Sequence, residues 1–286
     1  MDVGEIRSVG IVGAGQMGRG ISQVVAAAGY HVLLHDADPH VSRQARERIA
    51  ATLDGLVAKG RLTASEVVAM RERITVAPDL AEFSTADFVI EAVVEDEGAK
   101  LDTFRGLDRV CRPEVILTTN TSSISVTKLA GATARPAQVM GMHFMNPAPL
   151  MNLIELVRGL QTSEATFATV RTLAERLGKV PVEAADFPGF VVNRLLLPMI
   201  NEAVYVLMEG KLRPDDVDAA MKLGANHPMG PLALAVLIGL DICLAIMRVL
   251  HGKMGEDKYR PCPLLEKYVE AGWLGRKSGR GFYSYQ

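Results

Sequence analysis

Cysteine is scarce and odd in number. Cys111, Cys243 and Cys262 are the only three in 286 residues and lie far apart, which excludes a disulfide framework and suits a reducing compartment. There is no excess of either charge, since Lys and Arg total 31 against 33 for Asp and Glu. No global field draws nucleic acid or an anionic membrane, so an acidic ligand has to be met locally. Long apolar runs are missing too. The most apolar stretch, residues 231–250, contains Gly239 and Asp241 and is flanked by Pro228 and Pro231, so it reads as one buried core helix rather than a membrane span. The first residues hold no charged and apolar leader pattern, and a cytoplasmic location is expected. Internal repeats and low-complexity segments are likewise absent.

What is present is ordinary for a globular chain: 49% hydrophobic and 22% charged residues. The length predicts two domains, each able to bury a core. From residue 8 to about 182, short β-branched runs at 9–12, 31–35, 74–76, 88–93, 115–119, 139–144, 153–157 and 180–183 alternate with helical patterns. That alternation predicts parallel βαβ units in a doubly wound, Rossmann-type sheet, an α/β domain over residues 1–185. Residues 38–73 exceed what a simple crossover needs, so a helical hairpin, 39–58 and 63–73, is expected to be inserted there. After residue 186 only helical patterns remain, at 190–209, 214–223, 231–250 and 263–271, with Gly210, Gly224 and Gly272 at C-terminal cap positions. An all-α C-terminal domain over 186–286 follows.

Gly13-Ala14-Gly15-Gln16-Met17-Gly18 follows the first strand pattern and opens the first helix, the setting that a dinucleotide-binding turn requires. Gly13 permits the tight turn, Gly15 lets backbone approach a pyrophosphate, and Gly18 lets the helix pack close to the strand. The second strand pattern ends in Asp36, 18 residues beyond Gly18. A carboxylate there accepts from a ribose 2′-hydroxyl and repels a 2′-phosphate, so NAD is favoured over NADP.

Reactive side chains collect at the ends of later strand patterns: Asn120-Thr121-Ser122-Ser123 after the fifth, and His143 near the end of the sixth, just before Asn146-Pro147. Ligands of open α/β sheets bind outside the carboxyl ends of strands, so both segments point at one crevice. If residues 147–151 reverse the chain, antiparallel pairing centred on Pro149 sets His143 opposite Glu155. Such a carboxylate holds one imidazole nitrogen protonated and leaves the other able to take a proton. His31, His35, His40, His227 and His251 read as structural or surface residues. No His or Cys pair has metal-ligand spacing near a carboxylate cluster, so no metal is expected, and no G-x-S-x-G elbow supports a serine nucleophile. Hydride transfer with a histidine base remains.

At this point the chain resembles the L-3-hydroxyacyl-CoA dehydrogenase family from about residue 8 to 285, and within it the bacterial 3-hydroxybutyryl-CoA dehydrogenases. The residues that carry the likeness are Gly13 to Gly18, Ile90-Glu91-Ala92-Val93-Val94-Glu95, Asn120 to Ser123, Gly141-Met142-His143-Phe144-Met145-Asn146-Pro147, Pro188-Gly189-Phe190-Val191-Val192-Asn193-Arg194, Lys222-Leu223-Gly224 with Pro228-Met229-Gly230-Pro231, and Gly279-Arg280-Gly281-Phe282-Tyr283. The resemblance implies that His143 is the base for the 3-hydroxyl, that Glu155 orients it, and that Ser122 and Asn193 hydrogen-bond the substrate oxygens. It also implies NAD contacts from the glycine turn with Gln16 and Met17, and from Asp36, Glu95, Lys100, Asn120, Ser122, Asn146 and Lys277. Thr52 and Lys59 on the hairpin, together with Ser122, match CoA-binding positions.

Departures are few: Thr118-Thr119 where Ala or Ser is common, Met145 for Phe, and Asn152 for Lys, which leave acyl-chain preference open. Dehydrogenases of the 3-hydroxyacid or 6-phosphogluconate type use a catalytic lysine, which the stretch Asn193-Arg194-Leu195-Leu196-Leu197-Pro198 lacks. A non-catalytic NAD-binding structural protein of the same fold is the alternative, opposed by the joint presence of Ser122, His143, Glu155 and Asn193. Apolar content in 195–200 and 232–240 predicts a homodimer through the helical domain.

Overall fold

The computed structural model describes residues 3–285, and the chain divides into two compact units between Asp186 and Phe187. In the first unit, strands β1 (Ser8–Val12), β2 (His31–His35), β3 (Ile74–Val76), β4 (Phe88–Glu91), β5 (Ile116–Thr119), β6 (Val139–Phe144), β7 (Leu153–Arg158) and β8 (Val180–Ala185) build one sheet. The order is β3-β2-β1-β4-β5-β6-β7-β8, the expected doubly wound arrangement with two strands added at one end. Neighbours from β3 to β6 are parallel, β7 runs antiparallel to β6, and β8 is parallel to β7.

Helices α1 (Gln16–Ala27), α2 (Pro39–Ala58), α3 (Ala64–Glu72), α4 (Glu97–Val110), α5 (Val126–Ala130) and α6 (Glu164–Arg176) complete this unit. Local chemistry sets their starts. Asp38 caps α2 by accepting from His40 N, with Pro39 as the first helical residue. Thr63 and Glu66 form a capping box on α3, and Asp96 accepts from Ala99 N at the start of α4. Helix α1 differs: Gly15 caps it with no side-chain bond, so no side chain covers its leading amides.

Period-2 alternation divides the strand side chains between the two faces of the sheet. Phe88, Ile90, Met140, Met142 and Phe144 pack with residues of α1, α2, α3 and α6, whereas Val89, Leu117 and Val139 pack with α4 and α5. His143 has the parity of Val139, so it points away from the Met140, Met142 and Phe144 face. Strand β4 ends at Glu91, two residues before the sequence pattern suggests. There the Glu91 carboxylate itself accepts the Val93 amide at 2.7 Å, a bond that belongs to a turn rather than to a ladder.

The second unit contains α7 (Val192–Met208), α8 (Pro214–Gly224), α9 (Pro231–Ile238), α10 (Leu240–Met254) and α11 (Pro263–Glu270) around one apolar core. The single helix expected over 231–250 is two helices bent by 97°. The break is Gly239, at φ +110°, a backbone region that side-chain-bearing residues rarely enter, and Leu240 N is redirected to Leu274 O at 3.0 Å. Gly210 and Gly272 take left-handed conformations after their helices, but Gly224 is the last residue of α8 and Asn226 has the positive φ instead. Asp218, 6% exposed, caps α9 by accepting from Leu232 N and Ala233 N at 2.8 Å each, and from the Tyr283 hydroxyl at 2.6 Å. Among the described residues no single helix is long and apolar enough to cross a membrane.

Candidate active site

The turn between β1 and α1 has the shape its glycines suggest. Gly13 sits at φ +102°, and a Cβ there would lie 2.4 Å from Ala92 O. At Gly18 a Cβ would be 1.7 Å from Gly13 O, so only hydrogen fits where helix meets strand. A Cβ on Gly15 would meet nothing within 4 Å. That position is open, as it must be for a phosphate to reach the amides at the helix start. Asp36 follows β2, and its Oδ2 accepts from Ala14 N at 2.8 Å, which locks the carboxylate against the glycine turn. These residues fit a dinucleotide with an unphosphorylated ribose. Gln16 Nε2 donates to Asn146 Oδ1 at 3.1 Å, tying the helix start to the segment after β6.

Strands β6 and β7 bring the reactive pair together. Their register sets Met140 opposite Arg158, Gly141 opposite Val157 and His143 opposite Glu155, the pairing that a reversal centred on Pro149 demands. His143 Nδ1 lies 2.8 Å from Glu155 Oε2, with 7% and 1% of the two residues exposed. Gly141 keeps this face close-packed, because a Cβ there would be 2.8 Å from Val157 Cβ. The reversal itself rests on a buried cation. Lys179, immediately before β8, donates to Ala148 O at 2.8 Å and Met151 O at 2.9 Å. Burial lowers its pKa from the ordinary lysine value.

The segment after β5 is organised by one carboxylate. Glu95 Oε1 accepts from Thr121 Oγ1 at 2.5 Å, Ser122 N at 2.8 Å, Ser122 Oγ at 3.2 Å, Ser123 N at 3.1 Å and Ser123 Oγ at 3.0 Å. Burial alone would raise the Glu95 pKa, but Lys100 and these donated bonds outweigh it and hold the carboxyl below its usual range. Asn120 is bound elsewhere: its Oδ1 accepts from Phe144 N at 2.8 Å, one residue past His143. Ser122 and His143 therefore sit on neighbouring strand ends joined by a side-chain bond.

The remaining expected residues are more dispersed. Lys100 is 1% exposed, with its ammonium turned toward Glu91 and Glu95. Thr52 and Lys59 are both exposed near the end of α2, seven residues apart and so on one helix face; Thr52 Oγ1 donates to Arg48 O at 2.8 Å. In the second unit, Asn193 lies in the first turn of α7, and Lys277 pairs with Asp241 at 2.6 Å. Sequence reasoning gave no role to Glu91, Thr119, Lys179 or Asp186, although Asp186 accepts from Ser125 Oγ, Val126 N and Thr127 N to start α5. A charged residue inside the apolar strand pattern 88–93 was the signal for Glu91, whereas Lys179 stands just ahead of the pattern at 180–183 and carried no such mark. Among the described residues no cluster of His, Cys, Asp and Glu could hold a metal ion.

Residues 8–187 match the sequence profile of the 3-hydroxyacyl-CoA dehydrogenase NAD binding domain, and residues 189–285 match that of the family's C-terminal domain. The chain belongs to the 3-hydroxyacyl-CoA dehydrogenase family. It is accordingly an NAD-dependent oxidoreductase by family, with an NAD-binding first unit. It is 54% identical over 282 residues to a probable 3-hydroxybutyryl-CoA dehydrogenase of Bacillus subtilis, covering 99% of this chain and 98% of the relative. Identity is 51% over 281 residues to a 3-hydroxybutyryl-CoA dehydrogenase of Bradyrhizobium diazoefficiens, covering 98% and 96%. The crystal structure of (S)-3-hydroxybutyryl-CoA dehydrogenase from Ralstonia eutropha superposes with a TM-score of 0.94 at 47% identity, covering 99% of this chain and 100% of that one.

The contact at Gly18 generates a direct test. Gly18→Ala forces the helix away from Gly13 O, and NADH affinity by fluorescence titration is expected to fall about tenfold or more. An unchanged dissociation constant would mean that the turn does not hold the cofactor.

Proposed function

We propose that this chain catalyses the reversible NAD-dependent oxidation of L-3-hydroxyacyl-CoA to 3-ketoacyl-CoA, with 3-hydroxybutyryl-CoA and acetoacetyl-CoA as its principal pair. The observation that carries this reading is the buried His143–Glu155 contact of 2.8 Å, on the sheet whose β1–α1 turn fits a dinucleotide. The short acyl chain is supported by what the relatives at 51% and 54% identity are named for.

Bound NAD supplies the hydride acceptor in oxidation. Glu155 accepts from the Nδ1–H of His143, which fixes the neutral tautomer and leaves Nε2 with a lone pair. Nε2 takes the proton of the 3-hydroxyl as the carbon–hydrogen bond at C3 breaks, and returns it to the ketone oxygen in reduction. Glu155 stabilises the imidazolium in between. A positioned base of this kind contributes roughly 10² to 10⁴-fold. Ser122, held on Glu95, and Asn193 are assigned to substrate oxygens. Asp36, Glu95, Lys100, Asn120, Asn146 and Lys277 are assigned to NAD, and Thr52 and Lys59 to CoA, where Lys59 offers an exposed cation to phosphate.

Two further assignments complete the reading. The protein is a homodimer through its helical unit, supported by exposed Leu195, Leu223, Leu237 and Ile242. It is cytoplasmic, supported by three buried free thiols; burial pushes Cys111 up to about 11 and Cys243 up to about 12, so neither forms thiolate readily.

For His143→Gln, turnover of acetoacetyl-CoA with NADH is expected to fall by about 10³-fold while NADH still binds. Full turnover would end the mechanism. Sedimentation at micromolar concentration is expected to show a dimer, and a single monomeric species would remove the assembly assignment.

A further inference from the structure

Beneath the Ser122 segment lies a charge cluster centred on Glu91, a residue to which the proposed chemistry gives no part. Glu91, at the end of β4, is fully buried, and Lys100 of α4 is 1% exposed. Lys100 Nζ is 2.6 Å from Glu91 Oε1 and 3.4 Å from Glu95 Oε2, so one ammonium bridges two carboxylates. The other Glu91 oxygen accepts from Thr119 Oγ1 at 2.6 Å, and that hydroxyl oxygen in turn accepts the Thr121 amide at 2.8 Å. Two routes thus leave Glu91 and end on residues 121–123. One passes through Lys100 and Glu95, the other through Thr119.

Burying an ion pair this completely is a poor way to gain stability, because desolvation offsets the attraction and an apolar pair of similar volume serves as well. What an apolar pair cannot do is place a cation against Glu95. Glu95 accepts five donors on one oxygen, and three of them, Ser122 N, Ser122 Oγ and Ser123 N, set the height and rotamer of Ser122. A carboxylate kept ionised and stationary is the condition for that arrangement.

We propose that Glu91 and Lys100 are positioning residues for the reaction: their buried pair anchors Glu95, and Glu95 presents Ser122 to the substrate. This rests on the reading of Ser122 as a substrate contact. It gives a buried strand-end carboxylate and a buried lysine a role in turnover beyond holding the fold.

The test separates position from stability. Glu91→Leu takes the nearer carboxylate from the buried Lys100, and Lys100→Met leaves the buried Glu91 without its cation; each is expected to lower Tm by roughly 10 °C. The combined variant, Glu91→Leu with Lys100→Met, removes both charges and is expected to recover most of that loss. Its kcat/KM for acetoacetyl-CoA stays about tenfold or more below the parent, because Ser122 is no longer held in place. The same pair of changes added to Ser122→Ala costs little more than Ser122→Ala alone, since groups that act through one another are not additive.

Recovery of kcat/KM along with Tm would overturn the proposal, as would a full additional loss in the Ser122→Ala background. If the combined variant does not fold, Glu91→Gln, which keeps the volume while removing one charge, is read in its place for the loss of kcat/KM and for its non-additivity with Ser122→Ala. Parent-like activity of Ser122→Ala by itself would instead remove the role given to Ser122, and this inference with it. The hydride chemistry at His143 would be untouched by that result.

Discussion

The antiparallel register of β6 and β7 is the constraint on which the rest depends. A slip of one residue would turn every side chain of one strand to the other face, and His143 would point to the side that Met140, Met142 and Phe144 now fill, away from Glu155. Several features pin the register. The alternation of apolar residues fills one face, Gly141 admits Val157 on the other, and the Lys179 ammonium clamps the carbonyls of the reversal at Ala148 and Met151. Buried in a low-dielectric setting, the Glu155 carboxylate then meets the His143 ring at 2.8 Å.

Around that pair, the buried charged residues among those described are met by partners. Glu91 is met by Lys100, Thr119 and the Val93 amide, Lys179 by two carbonyls, and Asp218 by two amides and a phenol. Each satisfied group fixes the chain at a place where strands or helices end, and strand ends are where an open α/β sheet meets its ligands. Precision at the site and order in the loops come from the same bonds. The family profile gives an NAD binding domain over residues 8–187, and the proposed His143–Glu155 pair lies on the sheet of that domain.

Much of this was legible before any coordinates. The glycine turn with Asp36 announces itself because steric need for glycine and a carboxylate at a set distance both leave marks in local sequence. The His143–Glu155 pairing followed from counting around Pro149, since antiparallel partners share a constant sum of residue numbers. Other features left no such mark. The 97° break at Gly239 was hidden because a glycine inside an apolar run also suits an unbroken buried helix. Lys179 binds backbone carbonyls about 30 positions away in sequence, and a carbonyl acceptor has no residue type to betray it. Glu91 stands inside a family motif, yet its contacts with Lys100 and Thr119 come from other elements and leave no local mark.

The account turns on which nitrogen of His143 carries the proton. Nitrogen-resolved magnetic resonance of the His143 ring in the uncomplexed protein, followed upward from neutral pH, reads this directly. A neutral ring with the proton on Nδ1, bound to Glu155, and with Nε2 unprotonated is predicted. A neutral ring protonated on Nε2 would contradict it, because that nitrogen could then accept nothing from a hydroxyl.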